Sequence, residues 1–123
     1  MPTQQIQDHW DKVASMGCLI SEQEGPTLHH CTGGSMMRFG HVRGWSQKPS
    51  DWLVVPIAER YHTGKFGIDS GGPYYGVAEN WEQEFGSQVG MLMRVCDYCQ
   101  YDVFELAGLE SPWKMPQPGW MSV

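Results

Sequence analysis

The chain has 123 residues, room for one modest core, and a formal net charge of -6, which argues against a broadly basic nucleic-acid binder. Only 18% of residues are charged, beside 15 glycines, 8 prolines and 6 tryptophans, so a loop-rich protein resting on large aromatic side chains is expected. No apolar run approaches a membrane span, and Met1 to Trp10 is polar where a secretory leader would be apolar. These features predict a cytoplasmic protein with reduced thiols and no membrane partner.

The elements follow in chain order. Ile6, Trp10, Val13 and Ala14 recur at helical spacing and predict a helix over about 8–17, capped by Asp8 and stopped near Gly17. Cys18-Leu-Ile is a short apolar segment, and Gly25-Pro26 is a turn signal before a short strand, Thr27 to Cys31. Thr32 to Pro49 reads as a long glycine-bearing loop. From Gly25 to Ser50 there is no acid, while Arg38, Arg43, Lys48 and three histidines fall there, so one cationic face inside an acidic protein is expected. Asp51 to Val55 reads as a second strand, and Pro56 as the first turn of a helix over about 56–63, ended by Gly64. After a second glycine-rich loop, Trp81, Phe85, Val89, Leu92 and Cys96 form an apolar stripe that predicts one helix over about 77–100. The tail from Gly108 is rich in Pro and Trp and is expected to be extended. The result is an α+β chain, read as one domain over 1–123, in which strand, strand and helix make a ββα unit.

Chemistry concentrates in that unit. Adjacent side chains of a strand point to opposite faces, so His29 and His30 are expected to divide the work. One reading puts His29, His62 and Asp69 on a divalent cation, with open positions for water and a phosphate oxygen. His30 is then left to take a proton from water, since imidazole titrates near neutral pH. Asp51 and Ser50 are expected to brace the preceding loop through side-chain to backbone hydrogen bonds. Duller readings stand beside these. The histidines could be polar residues at a strand end. Arg38, Arg43 and Lys48 could be a solvated loop rather than phosphate contacts. Glu82 and Glu84 read as a solvated face. Cys96-Asp-Tyr-Cys99 lacks the βαβ context of a redox motif, and the default for all four cysteines is buried thiols, with a four-thiol zinc site of Cys18, Cys31, Cys96 and Cys99 as the alternative.

Cys18, His29-His30, Ser50-Asp51, Val54-Val55-Pro56-Ile57, His62, Ile68-Asp69 and Trp81-Glu82-Gln-Glu-Phe85-Gly86 follow one another in an order that resembles the HNH (His-Me finger) endonucleases. They resemble more closely the phage recombination enhancement function family of RecA-dependent nucleases. The resemblance covers about residues 18–92. It implies a ββα-metal core in which His30 is the general base, Asp51 takes the place of the motif's Asn, and His29, His62 and Asp69 hold one divalent cation. That cation is expected to be Mg²⁺, with Mn²⁺ or Zn²⁺ as alternatives. It also implies a phage or prophage protein acting on DNA in a bacterial cell, including single-stranded DNA coated by RecA, with Arg38, Arg43, Lys48 and Lys65 as nucleic-acid contacts. Ser21, Ala58 and Tyr61 depart from the pattern, standing where two cysteines and a histidine would be. The first two departures weigh against a structural zinc. The competing readings are a non-catalytic DNA- or protein-binding accessory protein and a small zinc-stabilised module.

Overall fold

The computed structural model describes residues 2–22, 25–39, 50–64, 66–68 and 78–114. Its elements are α1 (Gln4–Ala14), β1 (Pro26–His30), a 3-10 turn (Gly34–Phe39), β2 (Val54–Ala58), α2 (Glu59–His62), α3 (Ala78–Phe85), α4 (Gln88–Cys99) and α5 (Val103–Leu106). This is a small α+β fold in which helices cover a two-stranded antiparallel sheet. No helix among the described residues is long and apolar enough to cross a membrane.

The first helix starts earlier than its apolar spacing suggests. Thr3 is the cap: its side chain accepts the Ile6 N–H at 3.2 Å. Asp8, the expected cap, lies inside the helix and accepts from Gln4 Nε2. Ile6, His9 and Val13 are its buried residues.

Pro56 does not open a helix. It lies within β2, opposite Leu28 of β1, so the expected strand over 51–55 moves to Val54–Ala58 and the helix after it shrinks to Glu59–His62. The register explains why the sheet tolerates the proline. Pro56 O accepts the N–H of Leu19 at 3.0 Å. In an antiparallel strand the N and O of one residue point to the same side. The missing N–H therefore faces the Cys18–Ile20 segment, and the ladder with β1 loses no bond.

Val54, Val55, Pro56 and Ile57 are all buried, as a strand covered on both faces requires. Residues opposite one another share a face. Thr27, His29, Val55 and Ile57 look one way, while Leu28, His30, Val54 and Pro56 look the other. The second face meets α1, where the Trp10 ring stands edge-on to His30. The first meets α2 and α4 through His62 and Gln88.

The single helix expected over 77–100 is two helices. Gly86 between them has φ +110, a conformation that side chains with a Cβ rarely adopt, and Ser87 then caps α4 by accepting the Gly90 N–H at 2.9 Å. The apolar stripe survives the break, with Trp81, Leu92 and Cys96 fully buried. Glu82 is not a solvated side chain. Its carboxylate accepts Ser35 N–H and Gln88 N–H, each at 2.6 Å, and the Ser35 hydroxyl as well. One anion thus satisfies the open N–H groups of both the 3-10 turn and α4.

Asp102 caps α5, a helix the apolar spacing does not announce. Beyond it the tail is fastened as far as Trp113, which is buried and donates from Nε1 to Asp97 Oδ1 at 2.7 Å. The remaining tail, residues 115–123, lies outside the described residues.

Helix α1 also holds the turn before β2. His9 is buried, and its Nε2–H donates to Trp52 O at 3.0 Å while Nδ1 takes the Tyr101 hydroxyl. Trp10 Nε1–H donates to Asp51 O at 2.9 Å. Burial lowers the His9 pKa from 6.5, the Trp52 hydrogen bond works the other way, and Lys12 adds to the lowering.

Two outcomes follow from these contacts. Glu82→Gln turns an amide N–H₂ or a weaker acceptor toward three donors, and urea denaturation should read a loss of about 1–3 kcal/mol. A change below a few tenths would show that the carboxylate is not what caps the turn and α4. For His9 the unfolded chain takes up a proton that the folded chain refuses, so its contribution to stability is full above pH ~6.5 and falls as pH drops below that value. The urea midpoint should therefore fall between pH 7.5 and 5.5, and less steeply in His9→Gln. Identical slopes would remove His9 as the cause.

Candidate functional site

His29 is fully buried near the end of β1, on the face that meets α2 and α4. Its Nε2 lies 2.9 Å from Oε1 of Gln88, the first residue of α4, which is itself fully buried. That amide also accepts Thr32 N–H at 3.2 Å and donates to Thr32 O at 3.0 Å and Gly33 O at 3.3 Å. His62, the last residue of α2, brings its ring to 5.0 Å from the His29 ring, centroid to centroid, with the planes inclined at 68°. Its Nδ1 lies 2.8 Å from Thr27 Oγ1, two residues before His29 on the same face of β1. The two histidines expected to share a cation are thus brought together from β1 and α2.

His30 turns to the opposite face and is about a third exposed. Its Nε2 sits 3.1 Å from Asp51 Oδ1. A carboxylate accepts, so Nε2 carries the hydrogen and the lone pair of the neutral ring lies on Nδ1. Among the described residues, the Asp51 side chain bonds to His30, and the loop before Ser50 lies outside them. The carboxylate orients His30, and Trp10 holds the Asp51 backbone in place. The turn-bracing part falls to Ser50, whose hydroxyl accepts Trp52 N–H at 3.2 Å and whose carbonyl accepts Leu53 N–H at 3.2 Å.

Asp69, Arg43, Lys48 and Lys65 lie outside the described residues. The chain leading to Asp69 is described as far as Ile68. It folds back onto α2: Ile68 N–H donates to Tyr61 O at 3.1 Å, and the buried Trp81 indole N–H is shared between Tyr61 O and Phe66 O, each at 3.1 Å. A Cβ on Gly67 would run into the His62 carbonyl, so this close return favours glycine. Arg38 is exposed at the end of the 3-10 turn, over the Phe39 ring at 4.8 Å. It lines a cleft of about 440 Å³ with Phe39, Gly108, Leu109, Glu110 and Ser111, and no histidine is among those residues.

The structure does not bring the four cysteines together. All are free and buried, and no three His, Cys, Asp or Glu side chains among the described residues converge as a metal set. Burial raises the Cys96 thiol to about 11 and also raises Cys99, as expected of inert core thiols. Cys18 differs. Burial works to raise its pKa, but hydrogen bonds from Ser21 and Ala58 outweigh it and leave it lowered. The N–H groups of Ser21 and Ala58 reach its sulfur at 3.4 and 3.1 Å. These are the two positions where the resembled pattern has cysteines, so backbone donors stand around this sulfur where further thiolates would be.

Sequence reasoning missed Gln88, Thr27 and Trp10. Gln88 left one trace, a polar residue next to Val89 on an otherwise apolar stripe. Thr27 shares the strand face of His29 by the two-residue period alone. Nothing in the spacing of Trp10 separates a ring that packs from one that also donates to Asp51.

No protein-family model matches the chain, and neither the curated proteins nor the solved structures contain a match to it.

Proposed function

We propose that the protein is a metal-dependent endonuclease of the HNH type that hydrolyses phosphodiester bonds in DNA. The observation that carries the reading is the division of the histidine pair. His29 faces His62 across the angle between β1 and α2, and His30 on the next residue is tied to Asp51.

The donors suit a cation. Two imidazoles from a strand and the helix after the partner strand, with Asp69 as the third ligand, make an N, N, O set of the kind that holds first-row divalent ions. Such a set accepts Mg²⁺ and is better matched to Mn²⁺ or Zn²⁺, because imidazole is the softer ligand. A cation bound there supplies positive charge against the scissile phosphate and the departing alkoxide. His30 receives the proton of the attacking water at Nδ1. Asp51, on the far side of the ring, fixes the tautomer and stabilises the imidazolium that forms. Arg38, Arg43, Lys48 and Lys65 meet phosphates in this reading, and the resemblance extends it to recombination on RecA-coated single-stranded DNA in a phage-infected or lysogenic cell.

Single- and double-stranded DNA incubated with the protein and Mg²⁺ or Mn²⁺, with and without RecA filaments, should be cut. His30→Ala should slow cutting by about 10²–10⁴-fold. Asp51→Asn, which keeps the shape but offers the ring a different partner, should fall between the two. Cutting by His30→Ala at the wild-type rate would remove His30 as the base. Absence of cutting under every condition would leave the fold to a non-catalytic accessory protein.

A further inference from the structure

Tyr101 and Leu106 are shared by two adjoining clefts. One, of about 360 Å³, lies between α1, through Asp8 and Lys12, and Trp52. The other, of about 350 Å³, is lined by Asp102, Glu105 and Trp113. Together they form one groove with Trp52, Tyr101 and Trp113 in its lining. Leu106, in the middle, is 45% exposed. A lone exposed leucine on a smooth surface calls for no explanation, but a leucine set between two clefts with aromatic walls is an anchor point for another side chain.

The charge of the groove is one-sided. Asp8 and Glu105 are exposed, one in each cleft. Asp102 adds a third carboxylate, whose Oδ1 accepts the N–H groups of Phe104 and Glu105 at 3.0 and 3.2 Å. Among the described residues that line the groove, Lys12 is the cation, and its Nζ lies 5.3 Å from the centroid of the Tyr101 ring. Lys12 shows that this aromatic wall accepts positive charge on its face. Three carboxylates against one ammonium leave the groove negative.

We propose that this groove docks a basic segment of another protein, with an apolar side chain beside Leu106 and arginines on either side meeting Asp8 and Glu105. An apolar centre with a charged rim is the usual anatomy of such an interface, and complementary charge sets the register of the partner. Arginine suits the groove better than lysine, because its planar guanidinium pairs with a carboxylate through two N–H groups and also stacks on an aromatic ring. Nucleic acid is disfavoured by sign, since its phosphates would face carboxylates. A second copy presenting the same face would set like charges against each other. Neither His30 nor Asp51 lines the groove, so the inference is independent of the nuclease reading.

The test uses the full chain and short peptides in which a leucine, phenylalanine or tryptophan is flanked by arginines at a series of spacings, beside the same peptides with glutamate for arginine. Fluorescence anisotropy should show arginine peptides that bind, more weakly as salt is raised, and no binding by the glutamate set. In ¹H–¹⁵N spectra a bound peptide should shift the Leu106 amide and the Trp52 indole N–H. Leu106→Ser, and separately Asp8→Lys with Glu105→Lys, should each weaken binding about tenfold or more. These side chains are exposed, so the variants keep the fold. Absence of binding by every arginine peptide, equal binding by the glutamate set, or undiminished binding by both variants would overturn the proposal. Dimerisation of the chain that Leu106→Ser abolishes, or single-stranded DNA binding that it weakens, would give the groove to a different occupant and overturn it as well.

Discussion

The two-residue period of a β-strand governs this molecule. Because successive side chains of β1 must leave on opposite faces, two adjacent histidines have different surroundings. His29 goes into a buried seam between the sheet and α4, and His30 goes to the half-open side under α1. A register slip of one residue would exchange them, placing the exposed ring in the core and the buried one at Asp51. The register is held against that by β2, whose side chains are buried on both faces and have no alternative place to go.

The surrounding elements hold these two positions. On one side, α1 uses His9 and Trp10 to fasten two consecutive backbone carbonyls of the turn before β2, and so presents Asp51 to His30. On the other, α4 brings Gln88 to His29, and Glu82 ties the start of α4 to the 3-10 turn that follows β1. The polar groups inside the protein are largely engaged in these ties. A buried amide and a buried imidazole are costly unless paired, and here each is the other's partner.

Much of this was legible in the sequence. The two strands, the short helix after them and the separate surroundings of His29 and His30 follow from apolar runs, turn residues and strand alternation. The misreadings have physical causes. The missing N–H of Pro56 suits the first turn of a helix, but it suits equally a strand position whose N–H faces away from the ladder, and local sequence does not say which side is paired. The long helix broke at Gly86 because a glycine inside an apolar stripe is compatible with a helix until a tertiary tie, here Glu82 to Gln88, favours a turn. Glu82 itself looked like a solvated acid because its partners, Ser35 and Gln88, are remote or lie across a chain reversal. Gln88 was invisible as a site residue for the same reason: its meaning comes from a histidine 59 positions away.

That separation bears on how the protein comes into being. His29 and His30 leave the ribosome before α4 does, and the side chain that orients His29 emerges 59 residues after it. Until α4 docks, the first histidine is an ordinary imidazole on a hairpin, without the Gln88 amide beside it and without a buried surface behind it. The paired rings therefore report the completeness of folding rather than the presence of a motif. A nascent or clipped chain ending before α4 would carry the histidines but lack the order that distinguishes them.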